Sequence, residues 1–530
     1  MTSVQRRNVG RRKVEDETRE VADAAGKIAP PQTKSWLAYI LINYRWVLVC
    51  FFLLPVSFLY DFLFYLRSKA IFYLNSAPSK HKERVKQVQD QIIRWSKDGR
   101  KSPMCTARPG WQNISYRRGK YKKTLSNISI NMMDILEVNT TARTVRVEPL
   151  VTMGQLSAML SPMGWAIAIV AELDDLTVGG LVMGTGIETS SHRFGLFQHI
   201  CKSYELVLAD GTLTTCSKDE NPDLFYSVPW SYGTLGFLTA VEIEIVPIKP
   251  YVKLDYHPVK SLDEAYEVFE AAANAGDKHH FVEMLMYGLH SGVVMTGSMV
   301  DKPESDKLNA IGDWHKPWFF KHVESKLIAS KHHTEYIPLR DYFHRHSRSI
   351  FWEIQDIIPF GNNILFRFLL GWMVPPKVSL LKLTQSDAIK ELYDNHHFIQ
   401  DMLVPITSLK ESLEVFDREV KIYPLWICPF KLPSEPGMLK SSESDKMFVD
   451  IGAYGVPQVS NFHPIHTTRR VEKFVREHNG FQMLYADSYL TEEEFESMFD
   501  HSLYNEMRKK YGCDGAFPRV FGKVSRSVRE

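Results

Sequence analysis

The rhythm of hydrophobic and polar positions changes several times along the chain. Residues 1–33 are polar, with RRNVGRRKVEDETRE leading into a proline-containing linker. They lack the apolar positions that a packed element needs, so disorder is expected there. An apolar run follows: Trp46–Tyr60 carries no charge, and Phe62–Leu66 continues it after Asp61. A membrane span takes about 20 mostly apolar residues. Residues 45–66 meet that length, with Pro55 inside and Trp46 and Tyr65 near the ends as interfacial anchors. One N-terminal transmembrane helix is predicted. Two competing arrangements are a buried core helix and a monotopic hairpin bent at Pro55, the latter favoured by the apolar WLAYILINY at 36–44.

Beyond the run the periods shorten. HKERVKQVQDQIIRWSKDG (81–99) has helical spacing and stops at Gly99. Residues 133–165 read as strand, turn, strand and a helix starting near Met153. Residues 221–247 read as a short helix, a glycine turn at Gly233 and Gly236, and an alternating strand. YVKLDYHPV at 251–259 reads as a strand, and FVEMLMYG (281–288) as a hairpin partner of GVVMTGSMV (292–300). Two helices are expected in TEEEFESMFD and LYNEMRKKYG. The fold class is α+β.

Composition narrows the function classes. With 530 residues, two domains plus an appendage is the prior, and 44% hydrophobic content supplies their cores. A net charge of +2 gives no support for nucleic-acid binding. Six scattered cysteines form no CxxC pair, so neither a metal site nor a disulfide framework is expected. Reduced thiols on the cytosolic side are the expectation. After the apolar run come Arg67, Lys69, Lys80, Lys82, Arg84 and Lys86, against only Lys34 and Arg45 just before it. That excess places the large C-terminal part in the cytosol, where the sequons at Asn113, Asn127 and Asn139 would stay unglycosylated.

The densest chemical signal is TVGGLVMGTGIETSSHRFGLFQHICKSYELVLADG, residues 177–211. Glycines at 179, 180, 184, 186 and 195 let backbone N–H groups approach a ligand, and successive N–H groups form an anion site suited to a diphosphate. Taken with 133–165 before it and 221–247 after it, this block resembles the FAD-binding domain of the vanillyl-alcohol oxidase and p-cresol methylhydroxylase (PCMH) flavoproteins. Over the whole chain, MCTARPGW (104–111), GKYKKT (119–124), YIPLRDYFHRHSRSIFWEIQDIIPFGNN (336–363), GWMVPPKVSLLKLTQ (371–385), DIGAYG (450–455) and GFQMLYAD (480–487) are similar to the Δ24-sterol reductases. The resemblance runs from about residue 44 to the C-terminus.

That resemblance implies a two-subdomain FAD-binding PCMH-type domain over 72–248 and an α+β substrate cap domain over 249–478. A C-terminal segment, 479–530, would return to the FAD domain, and a tail over 1–44 would precede the span. It implies that Thr177, Val178, Gly179, Gly180, Leu181, Val182, Met183, Gly184, Thr185, Gly186, Ile187, Glu188 and Thr189 hold the FAD diphosphate. Arg108 and Gly110 stand where the family has a second diphosphate contact. RPGW has no attachment residue, so the FAD is expected to be non-covalent; His192 and Cys201 lie further on, where some members attach flavin. Gly233 and Gly236 would let backbone approach the flavin ring. No second GxGxxG follows a strand, so NADPH, the implied reductant, has no Rossmann domain of its own.

The implied substrate is a sterol from the membrane, and the reaction is reduction of its Δ24 side-chain alkene. An isolated alkene takes up hydride only as positive charge develops, which calls for a proton donor in a dry pocket. Tyr485 is the chosen catalytic acid, with Asp487, His344, His346 and Glu353 as further candidates. The aromatic stretches 314–322 and 350–374 are expected to form pocket wall and a membrane-docking face. The family implies the endoplasmic reticulum membrane, with the Golgi membrane as a second location, and leaves room for other sterol-pathway enzymes as partners. The alternatives are another FAD oxidoreductase acting on an alcohol, hydroxy acid or lactone, a side-chain isomerase, and a non-catalytic sterol-binding membrane protein.

Overall fold

Two sheets face each other across the middle of the protein. A computed structural model describes residues 43–107, 123–329, 332–382, 386–439 and 446–526. Arg108 and Gly110, and the N-terminal tail up to residue 42, lie outside the described residues.

The smaller sheet has six strands. Ile135–Asn139, Thr144–Val147, Phe237–Pro247, Cys201–Val207 and Leu213–Ser217 pair in that order, and Trp165–Ile167 adds to Phe237–Pro247. The helix Met153–Leu160 begins where expected, capped by the Thr152 side chain accepting from the Gln155 N–H. The amphipathic helix is Ala77–Lys97; its Val85, Val88, Ile92 and Trp95 are buried at helical spacing.

The larger sheet has eight strands, in the order His333–Pro338, Tyr251–Val259, Ser291–Val300, Phe281–Gly288, Leu425–Leu432, Lys446–Gly455, Phe398–Pro405 and Phe481–Gln482. The expected hairpin forms, with Val282 opposite Thr296 and Leu285 opposite Val293. The segment after residue 478 starts as this sheet's edge strand and then crosses to the smaller sheet. Beside that sheet lies a two-stranded parallel pair, Met104–Thr106 with Ser126–Ile128, whose Met104 N–H donates to the Ala516 carbonyl at 2.6 Å, and the Tyr504 hydroxyl meets Thr234 Oγ1 at 2.6 Å.

Among the described residues one apolar helix, Arg45–Tyr73, is long enough to cross a membrane, by length and composition. It extends seven residues past the expected end at 66. A π turn at Val49–Leu53 leads into Leu54–Tyr73, and Pro55 sits in the first turn of that second part. Pro55 has no N–H to continue the ladder, and the π turn just before it takes up the offset, so the helix runs on through it and no hairpin forms at Pro55.

Candidate active site

The cavity between the sheets measures about 440 Å³, within the range of small-molecule sites. Its walls differ in kind.

One wall is backbone. Thr177 caps a short helix, Val178–Gly184, its hydroxyl oxygen accepting from the Gly180 N–H at 3.4 Å. The expected open loop is therefore helical for its first half. Gly179 N–H donates to the Pro149 carbonyl at 2.7 Å. A Cβ on Gly179 would stand 2.8 Å from Pro149 Cβ and 2.9 Å from its carbonyl oxygen, so only glycine fits. Thr185 ends the helix at φ +76 and donates its hydroxyl to Gln198 Oε1 at 2.8 Å. Thr177, Gly179, Gly180, Leu181, Met183, Gly184, Thr185, Gly186 and Ile187 line the cavity, as do Gly233 and Gly236.

Val178, Val182, Glu188 and Thr189 do not line it. Val178 and Val182 are core. Thr189 Oγ1 accepts from the Tyr342 hydroxyl at 3.3 Å. Glu188 accepts from Arg345 Nη2 at 2.8 Å, and the same guanidinium bonds Glu283 at 2.8 Å through Nε. Trp426 Nε1 also donates to Glu283, at 3.0 Å. This fully buried cluster ties the glycine segment to the larger sheet.

The opposite wall is built from side chains. Strand alternation points Ile399 and Asp401, and then Asp450 and Tyr454, to one face. Register sets Asp401 opposite Gly452 and Ile399 opposite Tyr454. A Cβ at Gly452 would stand 2.8 Å from Asp401 Oδ1. Without it, the Tyr454 hydroxyl reaches Asp401 and donates to it. Tyr485 joins the same carboxylate with its own hydrogen bond. Burial pushes Asp401 up to about 6 against the pull of the two phenols. Asp450 has no exposed surface, and among the described residues no side chain offers its oxygens a hydrogen bond. Burial, then the nearby Asp401 and Glu172, raise its carboxyl well above the usual range. Glu353 also lines the cavity, and burial lifts it to about 7. The wall thus holds acids that burial makes hold their protons more tightly, Asp450 remaining neutral at pH 7 and Asp401 losing its proton near pH 6.

The remaining candidates fall elsewhere. Asp487 pairs with Arg526 outside the cavity lining. His344 Nε2 meets Ser157 Oγ at 2.7 Å, and His346 stacks on Phe351; neither lines the cavity. Of the aromatic stretches, Ile350, Phe351 and Glu353 reach the cavity, while Trp318 and Phe319 are core. Asp401, Asp450 and Tyr454 escaped the sequence-based choice. The signal was there: each of Asp401 and Asp450 is a lone acid at an inward position of an apolar strand.

The donor set suits a flavin, with close backbone along one side and apolar groups and buried acids along the other. The fold and this cavity define an FAD-binding flavoprotein. Residues 90–217 match the FAD binding domain family. The chain is 56% identical over 495 residues to the Delta(24)-sterol reductase of Homo sapiens, covering 93% of this chain and 96% of that one. It is 46% identical to the Delta(24)-sterol reductase homolog of Caenorhabditis elegans, covering 94% and 98%. Against the Delta(24)-sterol reductase of Arabidopsis thaliana the identity is 41%, covering 95% and 96%. The chain belongs to the Δ24-sterol reductase family.

Proposed function

We propose that this cavity is where the protein carries out FAD-dependent, NADPH-driven reduction of the Δ24 side-chain alkene of a sterol. Bound FAD, reduced by NADPH, supplies the hydride. The chain supplies the rest. Thr177, Gly179, Gly180, Gly184 and Gly186 would hold the diphosphate by backbone approach, with Gly233 and Gly236 giving room beside the ring. Phe351, Ile399 and Trp426 would exclude water and seat the apolar side chain.

Tyr485 would hold the proton at its phenol oxygen and pass it to the alkene as charge develops on the neighbouring carbon. Asp401 positions that phenol and supplies a return proton. Asp450 is a second neutral acid on the same wall. The observation that carries this reading is the pairing of a backbone-lined wall with a wall of buried, proton-holding acids across an apolar space.

Non-covalent attachment fits the surroundings of the two candidate links. His192 Nδ1 lies 2.9 Å from the Thr189 carbonyl and Nε2 3.1 Å from that of His279. The Cys201 thiol donates to the Phe197 carbonyl, and burial pushes it up to about 12. Neither lines the cavity. Acid precipitation is expected to release free FAD; flavin colour left in the pellet would show a covalent link.

The reading places the protein at the endoplasmic reticulum membrane, anchored through the apolar helix, with its body in the cytosol. The charge excess from Arg67 to Lys86 supports that side. Anaerobic incubation with FAD, NADPH and desmosterol tests the reaction. A product heavier by two hydrogens is expected. Unchanged substrate, or a product of equal mass, would overturn reduction.

A further inference from the structure

The helix Arg45–Tyr73 is tied along its length to the body of the protein. Arg45 Nη2 donates to the Leu381 carbonyl at 3.2 Å. Ser57 Oγ accepts from the Lys377 N–H at 2.9 Å. The Lys377 ammonium lies 2.8 Å from Asp61 and also bonds Asp175. Arg67 donates to Asp134 at 2.7 Å. From Arg45 to Arg67 these ties cover about 33 Å at 1.5 Å per residue, close to the ~30 Å of a bilayer's hydrocarbon. A helix crossing the bilayer would have to give up those at Arg45, Ser57 and Asp61, since their partners belong to the body.

The faces of this helix are inverted relative to a helix in water. Arg45, Val49, Leu54, Ser57 and Ser68, at helical spacing, are buried against the body. The outward face carries Phe51, Phe52, Leu59, Leu63 and Leu66, with Phe51 64% exposed. Asp61, the only charge between Trp46 and Leu66, turns to Lys377. A second apolar element continues this face: Ile364–Met373 exposes Leu365, Phe368, Leu369 and Trp372, with Leu369 71% exposed. The two elements meet where the Phe58 and Trp372 rings pack edge-on at 5.0 Å. Basic Lys69, Lys80 and Lys82 follow at the helix's C-terminal end, a pattern suited to lipid headgroups. Polar tyrosine tips at Tyr60, Tyr65 and Tyr73 suit an interface as well.

We propose that this helix does not cross the bilayer. It lies in one leaflet's interface and, with Ile364–Met373, forms a single monotopic surface whose partner is a phospholipid membrane. On this proposal a monotopic arrangement takes the place of the expected single pass. The surface backs onto the active site: Lys377 holds the helix, while its neighbour Val378 and its partner Asp175 line the cavity. Resting on the sterol reading, the substrate would enter from that leaflet beside Lys377. The topology itself is tested without any sterol.

The full chain, carrying an N-terminal protease-cleavable tag, is inserted into sealed phosphatidylcholine–phosphatidylethanolamine vesicles with its body outside. All six native cysteines are buried, so a single new thiol can be labelled with an environment-sensitive dye. Leu59→Cys and Leu369→Cys probe the two elements, both at exposed positions that should not disturb folding. The tag should be cut from outside, and both dyes should report an apolar surrounding on vesicle binding. A protected tag would establish a span and overturn the proposal. A cut tag with the Leu369→Cys dye still in water would overturn the shared surface. If the dyes move to an apolar surrounding without vesicles, in step with protein concentration, the partner is a second copy of the chain and the lipid assignment fails.

Discussion

The two walls of the cavity solve different problems with different parts of the chain. The glycine wall is one continuous stretch, Thr177–Ile187, that acts by lacking side chains. At Gly179 the close approach of Pro149 leaves no room for a methyl group. The acid wall is assembled from three distant stretches, around Asp401, Asp450 and Tyr485, and on the proposed mechanism acts through side chains whose hold on a proton burial strengthens. A wall for holding a charged diphosphate needs shape and N–H groups. A wall for protonating an alkene needs a proton and no water. Placing both functions on one segment would put a glycine-rich backbone and bulky acids in the same few residues.

Arg345 joins the walls, bonding Glu188 on one side and Glu283 on the other, with no side-chain exposure. Removing one partner of such a buried pair leaves uncompensated charge and costs about 3–5 kcal/mol. Arg345→Leu should lower unfolding free energy by that much in urea titration and take the bound flavin with it. A loss under about 1 kcal/mol would mean that the walls are held together by other contacts.

Tyr485→Phe should separate the walls' functions without unfolding either. The ring stays and only the hydroxyl is lost. General acid catalysis is typically worth ~10²–10⁴-fold, so sterol turnover should fall by that range. FAD content and flavin reduction by NADPH should remain as in the parent. If sterol reduction stays within a few-fold, the proton comes from elsewhere and Asp450→Asn is the next variant.

The same contrast explains what could be read in the sequence. Gly179 to Gly186 is a local pattern, so the backbone wall was legible, as were the Phe281–Gly288 hairpin and the Met153 helix. Yet the outward turn of Glu188 and Thr189 was not, because it depends on Arg345 and Tyr342, more than 150 residues away. The acid wall was half legible: Tyr485 stood out in GFQMLYAD, but its partner Asp401 is set beside it only by strand register and by the missing Cβ of Gly452. The apolar helix was legible as apolar. Its lengthwise attachment was not, since Lys377 lies more than 300 residues from Ser57 and Asp61.

Adjacent glycines sharpen the account of the backbone wall. Gly179→Ala forces a methyl group against Pro149 backbone, and such overpacking typically costs about 1–3 kcal/mol. At Gly180 the added Cβ would lie 3.2 Å from the Thr177 hydroxyl and touch nothing else within 4 Å. There alanine also gains helix propensity, so the net effect on stability should be a few tenths of a kcal/mol. Unfolding free energy should drop for Gly179→Ala and hold for Gly180→Ala, while flavin content per protein, measured by absorbance, should fall for both, since both glycines line the proposed diphosphate wall. Full flavin content in Gly180→Ala would remove Gly180 from that wall.

The smallest effect separates the walls by pH. The backbone wall carries no titrating group, so FAD affinity should change little between pH 5 and 8. Asp401 is different, since burial raises it to about 6 from its ordinary 3.8. The folded state therefore binds the proton more tightly than the unfolded chain does. The stability this contributes is fully present below about pH 4 and is lost as pH rises through about 6. On the proposed mechanism the same proton resupplies Tyr485, so steady-state sterol turnover should fall as pH rises above about 6, by up to tenfold per unit. Two carboxyls this close titrate as a pair, so the midpoint belongs to Asp401 and Asp450 together. Asp401→Asn keeps the shape, cannot titrate and should flatten that limb while also removing the loss of stability between about pH 4 and 6. A limb that survives Asp401→Asn unchanged would move the titrating group to Glu353, which burial holds at about 7.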